Sequence, residues 1–312
     1  MSVNPKETHV ALLAGGTSGE REISIKSGDG VEKALKEAGF QVTRLDPASK
    51  QDLNRLITDD FEVAFLTLHG KGGEDGVIQG FLELIGLPYT GSGVLASATA
   101  MDKNRAKTVY EAAGIPVIPG MALHKGEPVD LDSIKQKTGI PCVVKPATEG
   151  SSLGLRIVQD EAELADAIDY VLTVDDAIVI EKFVAGTETT VAVLGNDELE
   201  ALPVIEIVPL AADTYDFESK YAPGGCQHVI PARLDEETTS KLQQLAKRAH
   251  AALGCRGVSR TDFIVGASGD PWILETNTLP GMTATSLLPD TAGHAGYSYP
   301  ELCTKLIELA LE

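Results

Sequence analysis

The chain has 312 residues, 43% of them hydrophobic and 5% aromatic, and a formal net charge of −20. That is enough apolar material for one large core or two to three smaller ones. The acidic balance, with no dense basic tract, excludes nucleic acid and anionic membrane surfaces as partners, although a few lysines in a cleft can still hold a small anion. Met1–Thr8 is polar with no apolar signal region, and no window approaches the ~20 apolar residues of a membrane span, so a cytoplasmic location is expected. Cys142, Cys226, Cys255 and Cys303 form no C-x-x-C pair and are expected to be small buried hydrophobes in a reducing compartment.

Val10–Leu13 is a short apolar strand ending in Gly15-Gly16. A helical period follows from about Ile23 to Ala38, closed by Gly39. Then come a strand at Gln41–Leu45, a helix near Asp52–Ile57 and a strand at Val63–Leu68. This βαβαβ order predicts a doubly wound parallel sheet, with its loops gathered at the strand C-termini, over Met1 to about Ala96. A helix from Asp102 to Ala113 is capped by Asp102 and stopped by Gly114 and Pro116. From Ile140 to Phe183 the pattern is strand, Gly/Ser loop, strand, helix, strand. Strands dominate from Glu188, first Glu188–Leu194 and then Leu199–Val208. The polar stretch Ala211–Pro231 lacks periodicity and suits a lid loop. A long helix, Glu236–Leu253, precedes two more strands, a glycine-containing loop and a terminal helix.

The most informative segment runs from Arg260-Thr261-Asp262-Phe263 to Leu274-Glu275-Thr276-Asn277, with Gly-Asp turn chemistry between. A turn centred between Ser268 and Gly269 pairs Asp262 with Glu275, Arg260 with Asn277 and Thr261 with Thr276. Alternation then puts Arg260, Asp262, Glu275 and Asn277 on one face. Directly opposed carboxylates are unfavourable unless positive charge lies between them. A magnesium ion, which takes oxygen ligands and shares them with phosphates, would resolve the conflict. Arg260 suits stabilisation of an oxyanion. A solvated polar face without an ion is the bland alternative.

Three further segments bear on phosphate chemistry. Lys145-Pro146 leads into Glu149-Gly150-Ser151-Ser152, whose backbone N–H groups can face phosphate oxygens, although an ordinary flexible turn has the same composition. Gly15 to Glu22 does not fit G-x-G-x-x-G, so a dinucleotide site is not indicated; Glu20 there is either a helix-dipole partner or a ligand for an ammonium group. His69 ends an apolar strand at the binding edge of the sheet, where a bond to the turn backbone is an equal alternative.

Taken together, these segments resemble the D-alanine–D-alanine ligase family of the ATP-grasp superfamily, over about Val10 to Leu311. The most specific matches are His69-Gly70 through Gly73-Glu74-Asp75-Gly76, and Arg260-x-Asp262 followed by Glu275-x-Asn277 and Pro280-Gly281. Glu20, Met101-Asp102-Lys103, Lys145-Pro146 and Lys220-Tyr221 match in order. The resemblance implies a mixed α/β and α+β, three-domain ATP-grasp architecture. Its parts would be an N-terminal substrate-binding domain (1–96), a central subdomain (97–185) and a C-terminal catalytic subdomain (186–312) with a lid over about 211–231. It implies Lys103, Lys145 and Lys220 on the phosphates, with Glu181, Lys182, Val184 and Glu188 around the rest of the nucleotide. Asp262, Glu275 and Asn277 would hold two magnesium (or manganese) ions. Glu20 would hold the first D-alanine's ammonium and join Ser151 and Tyr221 in closing the lid. Arg260 and the Gly281 backbone would stabilise the oxyanion; Ser286 and Leu287 would take the second D-alanine's carboxylate, with His69 near the substrates.

The implied activity is ATP-dependent synthesis of D-alanyl-D-alanine for peptidoglycan, through an acyl phosphate, by a cytoplasmic homodimer. The nearest alternatives are a ligase using D-lactate or D-serine as second substrate, and a nucleotide-binding regulator that has lost turnover. One departure is visible: Thr261 and Thr276 stand where the family has aliphatic or small apolar residues, and a cross-strand hydroxyl pair would compensate.

Overall fold

The computed structural model describes residues 3–150, 154–209 and 226–312. Its N-terminal sheet is parallel, in the order β2-β1-β3, with β1 at His9–Leu13, β2 at Gln41–Leu45 and β3 at Val63–Leu66. Alternate residues of β1 explain why both faces are covered. Val10 and Leu12 pack with helix α1 (Arg21–Glu37) and the C-terminal helix Tyr299–Ala310, while Ala11 and Leu13 pack toward α2 (Lys50–Thr58) and α3 (Val77–Ile85). This is the doubly wound arrangement expected from the βαβαβ pattern.

Two helices absent from the sequence reading, α3 and α4 (Val94–Met101), follow β3. Then α5 (Lys103–Ala112) begins at Asp102, whose carboxylate accepts from the Asn104 and Arg105 backbone N–H groups. A small antiparallel sheet has the order β4-β7-β5-β6, with β4 Gly120–His124, β5 Cys142–Pro146, β6 Arg156–Val158 and β7 Ala177–Lys182. One face buries Cys142, Val144, Ile178 and Ile180 against α6 (Leu131–Thr138) and α7 (Leu164–Val174). The alternate positions, Lys145 and Glu181 among them, therefore project from the opposite face.

The large sheet has the order β11-β10-β8-β12-β13, with β9 also on β8. Its longest strands are β8 (Gly186–Leu194), β12 (Val258–Gly266) and β13 (Pro271–Asn277). Val191, Val193, Phe263, Val265 and Ile273 pack against α5 and the long helix α8 (Glu236–Leu253). The single strand expected over Leu199–Val208 is instead two, β9 (Glu200–Ala201) and β10 (Ile205–Pro209). Pro203 between them has no N–H to continue a ladder. The loop expected over 211–231 is also corrected at its C-terminal end. Cys226–Val229 is β11, antiparallel to β10, and residues 211–225 lie outside the described residues. Helices α9 (Leu287–His294) and α10 (Tyr299–Ala310) close the chain. Among the described residues no helix is long and apolar enough to cross a membrane.

Candidate active site

The hairpin β12–β13 has the predicted outer register, Arg260↔Asn277, Thr261↔Thr276 and Asp262↔Glu275, but reaches it by a different route. Near the turn Val265 faces Pro271 and Phe263 faces Ile273, so a regular ladder would set Asp262 against Leu274. A bulge between Asp262/Phe263 and Ile273/Glu275 adds one residue on β13 and slides Glu275 into place. The turn is off-centre and the bulge compensates; bulges commonly re-aim side chains in this way beside active sites.

Asp262 is 6% exposed, which discards the solvated polar face. Arg260 forks onto it, Nε to Oδ1 at 3.0 Å and an Nη to Oδ2 at 2.9 Å, and the Thr190 hydroxyl donates to Oδ1 at 2.5 Å. Glu275 lies 3.1 Å from Lys103 Nζ, which also donates to the Glu149 carbonyl at 2.8 Å. Each carboxylate thus has a cation of its own, and protein groups already resolve the repulsion assigned to a metal. On the buried face, Thr261 and Thr276 pair at 3.0 Å between hydroxyl oxygens. Tyr110 of α5 donates to Thr276 at 2.8 Å, so the departure noted above is compensated.

A cleft of about 220 Å³ is lined by Glu20, His69, Arg260, Gly281, Ser286 and Leu287, six residues from distant parts of the chain. Lys103, Glu275 and Asn277 line an adjoining recess with Gly150 and Glu74. Glu20 is the N-cap residue of α1 but makes no side-chain cap bond; its carboxylate points to Gly70 and Gly150, where a Cβ would meet Oε2 at 3.0 and 3.5 Å. The loop beneath it is held by Asp46, which accepts from Gly16 N–H at 2.9 Å and from Arg21 at 2.6 Å. His69 is buried, with Nδ1 3.3 Å from Glu74 and Nε2 3.3 Å from Ser27 Oγ. Ser286 is the N-cap residue of α9 but makes no side-chain cap bond there; its Oγ instead accepts from Thr283 N–H at 2.9 Å. A Cβ on Gly281 would fall 2.8 Å from that oxygen, so glycine fits the close approach.

Lys145 and Glu181 meet at 2.6 Å on the face of the small sheet opposite α6 and α7, and Lys107 of α5 closes on the same carboxylate. Burial opposes ionisation of Glu181, but Lys145 and Lys107 outweigh it and hold the carboxyl below its usual range. Burial also works against charge on Lys145, yet Glu181 wins and raises it, with smaller contributions from Glu275 and Glu188 across the gap. Lys107, by contrast, is lowered, because burial there exceeds the help from Glu181.

Glu188 sits on β8 opposite Ile264 of β12, with the same orientation as Thr190 and Asp262. Lys182 is exposed at the end of β7 and is not gathered with the other lysines; Val184 is half-buried in the link to β8. Ser151, Lys220 and Tyr221 lie outside the described residues. Sequence reading missed Lys107, Thr190 and Thr283. The signal for Lys107 was its position one helical turn after Lys103; Thr190 carried no local signal, because its role depends on which strand lies beside Asp262.

With this geometry in place, comparison with known proteins is decisive. A model of the D-ala D-ala ligase C-terminus matches residues 109–308, and one of the N-terminus matches residues 45–92. The chain belongs to the D-alanine–D-alanine ligase family. It is 52% identical over 306 residues to the D-alanine–D-alanine ligase of Syntrophobacter fumaroxidans, covering 97% of each chain. It is 49% identical over 307 residues to that of Halalkalibacterium halodurans, covering 97% of this chain and 99% of the relative. Two crystal structures of the D-alanine–D-alanine ligase from Bacillus anthracis, one complexed with ATP, superpose with a TM-score of 0.86 at 34% and 33% identity. Each covers 97% of both chains. The fold is thus the ATP-grasp type of this ligase family.

Proposed function

We propose that this chain joins two D-alanines into D-alanyl-D-alanine, with ATP cleaved to ADP and phosphate, to supply peptidoglycan precursors. The observation that carries the reading is the cleft itself. Glu20, Arg260 forked onto Asp262, and the Gly281–Ser286 corner all line it.

The first D-alanine's carboxylate attacks the γ-phosphate, giving an acyl phosphate and ADP. The second D-alanine's amine then attacks the acyl carbon, and phosphate leaves. Both steps build negative charge on oxygen, which Arg260 and the Gly281 N–H are placed to stabilise. Lys103, Lys145 and Lys220 neutralise the phosphates. Glu181, Lys182, Val184 and Glu188 line the nucleotide. Glu20 fixes the first ammonium and joins Ser151 and Tyr221 in closing the site, since an acyl phosphate must be kept dry. Ser286 and Leu287 hold the second carboxylate, with His69 beside the substrates.

Asp262, Glu275 and Asn277 offer carboxylate and amide oxygens on one face, hard donors suited to two Mg²⁺ or Mn²⁺ ions. Held by these residues, such ions would supply positive charge to phosphate oxygens. We divide the chain at about residues 97 and 186 and read it as a cytoplasmic homodimer. The exposed side chains Val77 and Leu84 of α3 and Leu95 of α4, on helices that pack together, provide an apolar surface for self-association.

The test is ADP release and product analysis with D-alanine alone, then with D-lactate or D-serine added. Dipeptide from D-alanine alone supports the reading, and its disappearance on chelation supports the metal. A preference for a mixed product would overturn the second-substrate assignment. Tight ATP binding with no product would establish a regulator instead.

A further inference from the structure

Beside the second-substrate end of the cleft lies a group of side chains that the ligase chemistry leaves unused. Cys226 and His228 alternate on β11 and so point to the same side, toward α9. Cys226 Sγ is 3.7 Å from His228 Nε2, and His228 Nδ1 is 2.7 Å from Asp290 Oδ2 on α9. A ring nitrogen bonded to a carboxylate carries the proton, so Nε2 offers its lone pair to the thiol. This is the arrangement of base and orienting carboxylate that activates a sulfur nucleophile.

The other three cysteines differ in every relevant respect. Cys142, Cys255 and Cys303 are buried. Burial raises the Cys142 thiol, pushes Cys255 up to about 11 and Cys303 up to about 12. Cys226 is half-buried at the edge strand of the large sheet, contrary to the uniform burial expected from the sequence. His228 also lines the cleft with Arg260, Ser286 and Leu287, so a group attached to Cys226 lies one side chain from it.

We propose that Cys226 is a modification site, a His228-activated thiol that reacts with hydroperoxides and small soft electrophiles, and that its modification shuts the second-substrate end of the cleft. The last clause rests on the assignment of Ser286 and Leu287 to the second D-alanine. With hydrogen peroxide, the Sγ proton passes to His228 Nε2 and the thiolate attacks one peroxide oxygen. An S–O bond forms as the O–O bond breaks. The departing hydroxide takes the proton from His228 and leaves as water. Sulfur is oxidised to the sulfenic acid and the peroxide is reduced.

The experiment is limited alkylation of the full native chain with iodoacetamide at pH 7, read residue by residue by mass spectrometry. Cys226 is expected to react first, on the order of tenfold or more faster than free cysteine, which is only a few per cent thiolate at that pH. His228→Gln should remove the advantage and Asp290→Asn should reduce it. Even labelling of the four thiols, or an unchanged rate in His228→Gln, would overturn the activation. Peroxide treatment should leave a dimedone-trappable sulfenic acid at Cys226, and its absence would overturn the oxidation. Dipeptide synthesis should fall in proportion to label in the wild type, while Cys226→Ser keeps its activity through the same treatment. A fully labelled protein that still turns over would overturn the shut-off; the labelling pattern itself needs no variant. Lack of dipeptide synthesis before any labelling would be a failure of the ligase reading and not of this one.

Discussion

Lys145 and Glu181 form a 2.6 Å ion pair with side chains only 12% and 3% exposed, and Lys107 reaches the same carboxylate from α5. Two lysines share one buried carboxylate, and Glu188 and Glu275 act on Lys145 from across the gap. Glu181→Gln would leave two lysines facing each other out of water. We expect it to destabilise the fold by about 3–5 kcal/mol, the usual cost of breaking a buried pair from one side. Lys107→Met in the same background should recover part of the loss. Urea unfolding of the two variants measures this, and a loss below ~1 kcal/mol would show that water reaches the cluster.

Much of this architecture was legible in the sequence because it is local. The βαβαβ period, the Asp102 cap and the face shared by Arg260, Asp262, Glu275 and Asn277 follow from alternation and capping within short windows. The β13 bulge was not legible, since a displaced turn and an extra residue cancel in the outer register. Nor was the Thr190 hydroxyl on Asp262, 72 residues apart in the chain, because strand order in an antiparallel sheet is a long-range property. Strand β11 was hidden by its neighbours: Gly224-Gly225 and Pro231 read as loop, and four residues are too few for a period.

Gly281→Ala should separate binding from stability. The new methyl carbon would sit 2.8 Å from Ser286 Oγ, which can swing aside at little cost to the fold. Doing so breaks its bond to Thr283 N–H and moves the hydroxyl assigned to the second carboxylate. Unfolding free energy should change by less than ~1 kcal/mol, while the KM for the second D-alanine rises about tenfold or more. Equal KM values in both proteins would remove Ser286 from the substrate site.

The Tyr110–Thr276–Thr261 chain ties α5 to the back of the β12–β13 hairpin. Thr276→Val keeps the shape but strands a Tyr110 hydroxyl that is fully buried. It should cost ~1–3 kcal/mol, whereas Tyr110→Phe alone should cost about 1 kcal/mol. The double variant should cost less than the two singles together, because the second change removes the group stranded by the first. Strict additivity in a double-mutant cycle would mean that the three hydroxyls act independently.

His250 gives the fold a pH dependence unconnected with the active site. It is 1% exposed inside α8, with Nδ1 2.8 Å from Ser259 Oγ. Burial lowers its pKa from 6.5 to about 4. Between those values the unfolded chain binds a proton that the native protein refuses, so stability rises with pH across the window. The contribution is complete above pH 6.5, declines as the pH falls and levels off below about 4. At ~1.4 kcal/mol per pH unit, the loss from this group amounts to roughly 3 kcal/mol. His250→Gln cannot take up the proton, so its stability should be flatter between pH 7.5 and 4.5, even if the lost Ser259 geometry lowers it throughout. Urea unfolding of wild type and variant at the two pH values gives the difference directly. Parallel losses in both proteins would assign the acid sensitivity to groups other than His250; Glu181 is not among them, because its lowered pKa makes its own contribution fade only as the pH falls below its ordinary value of 4.5.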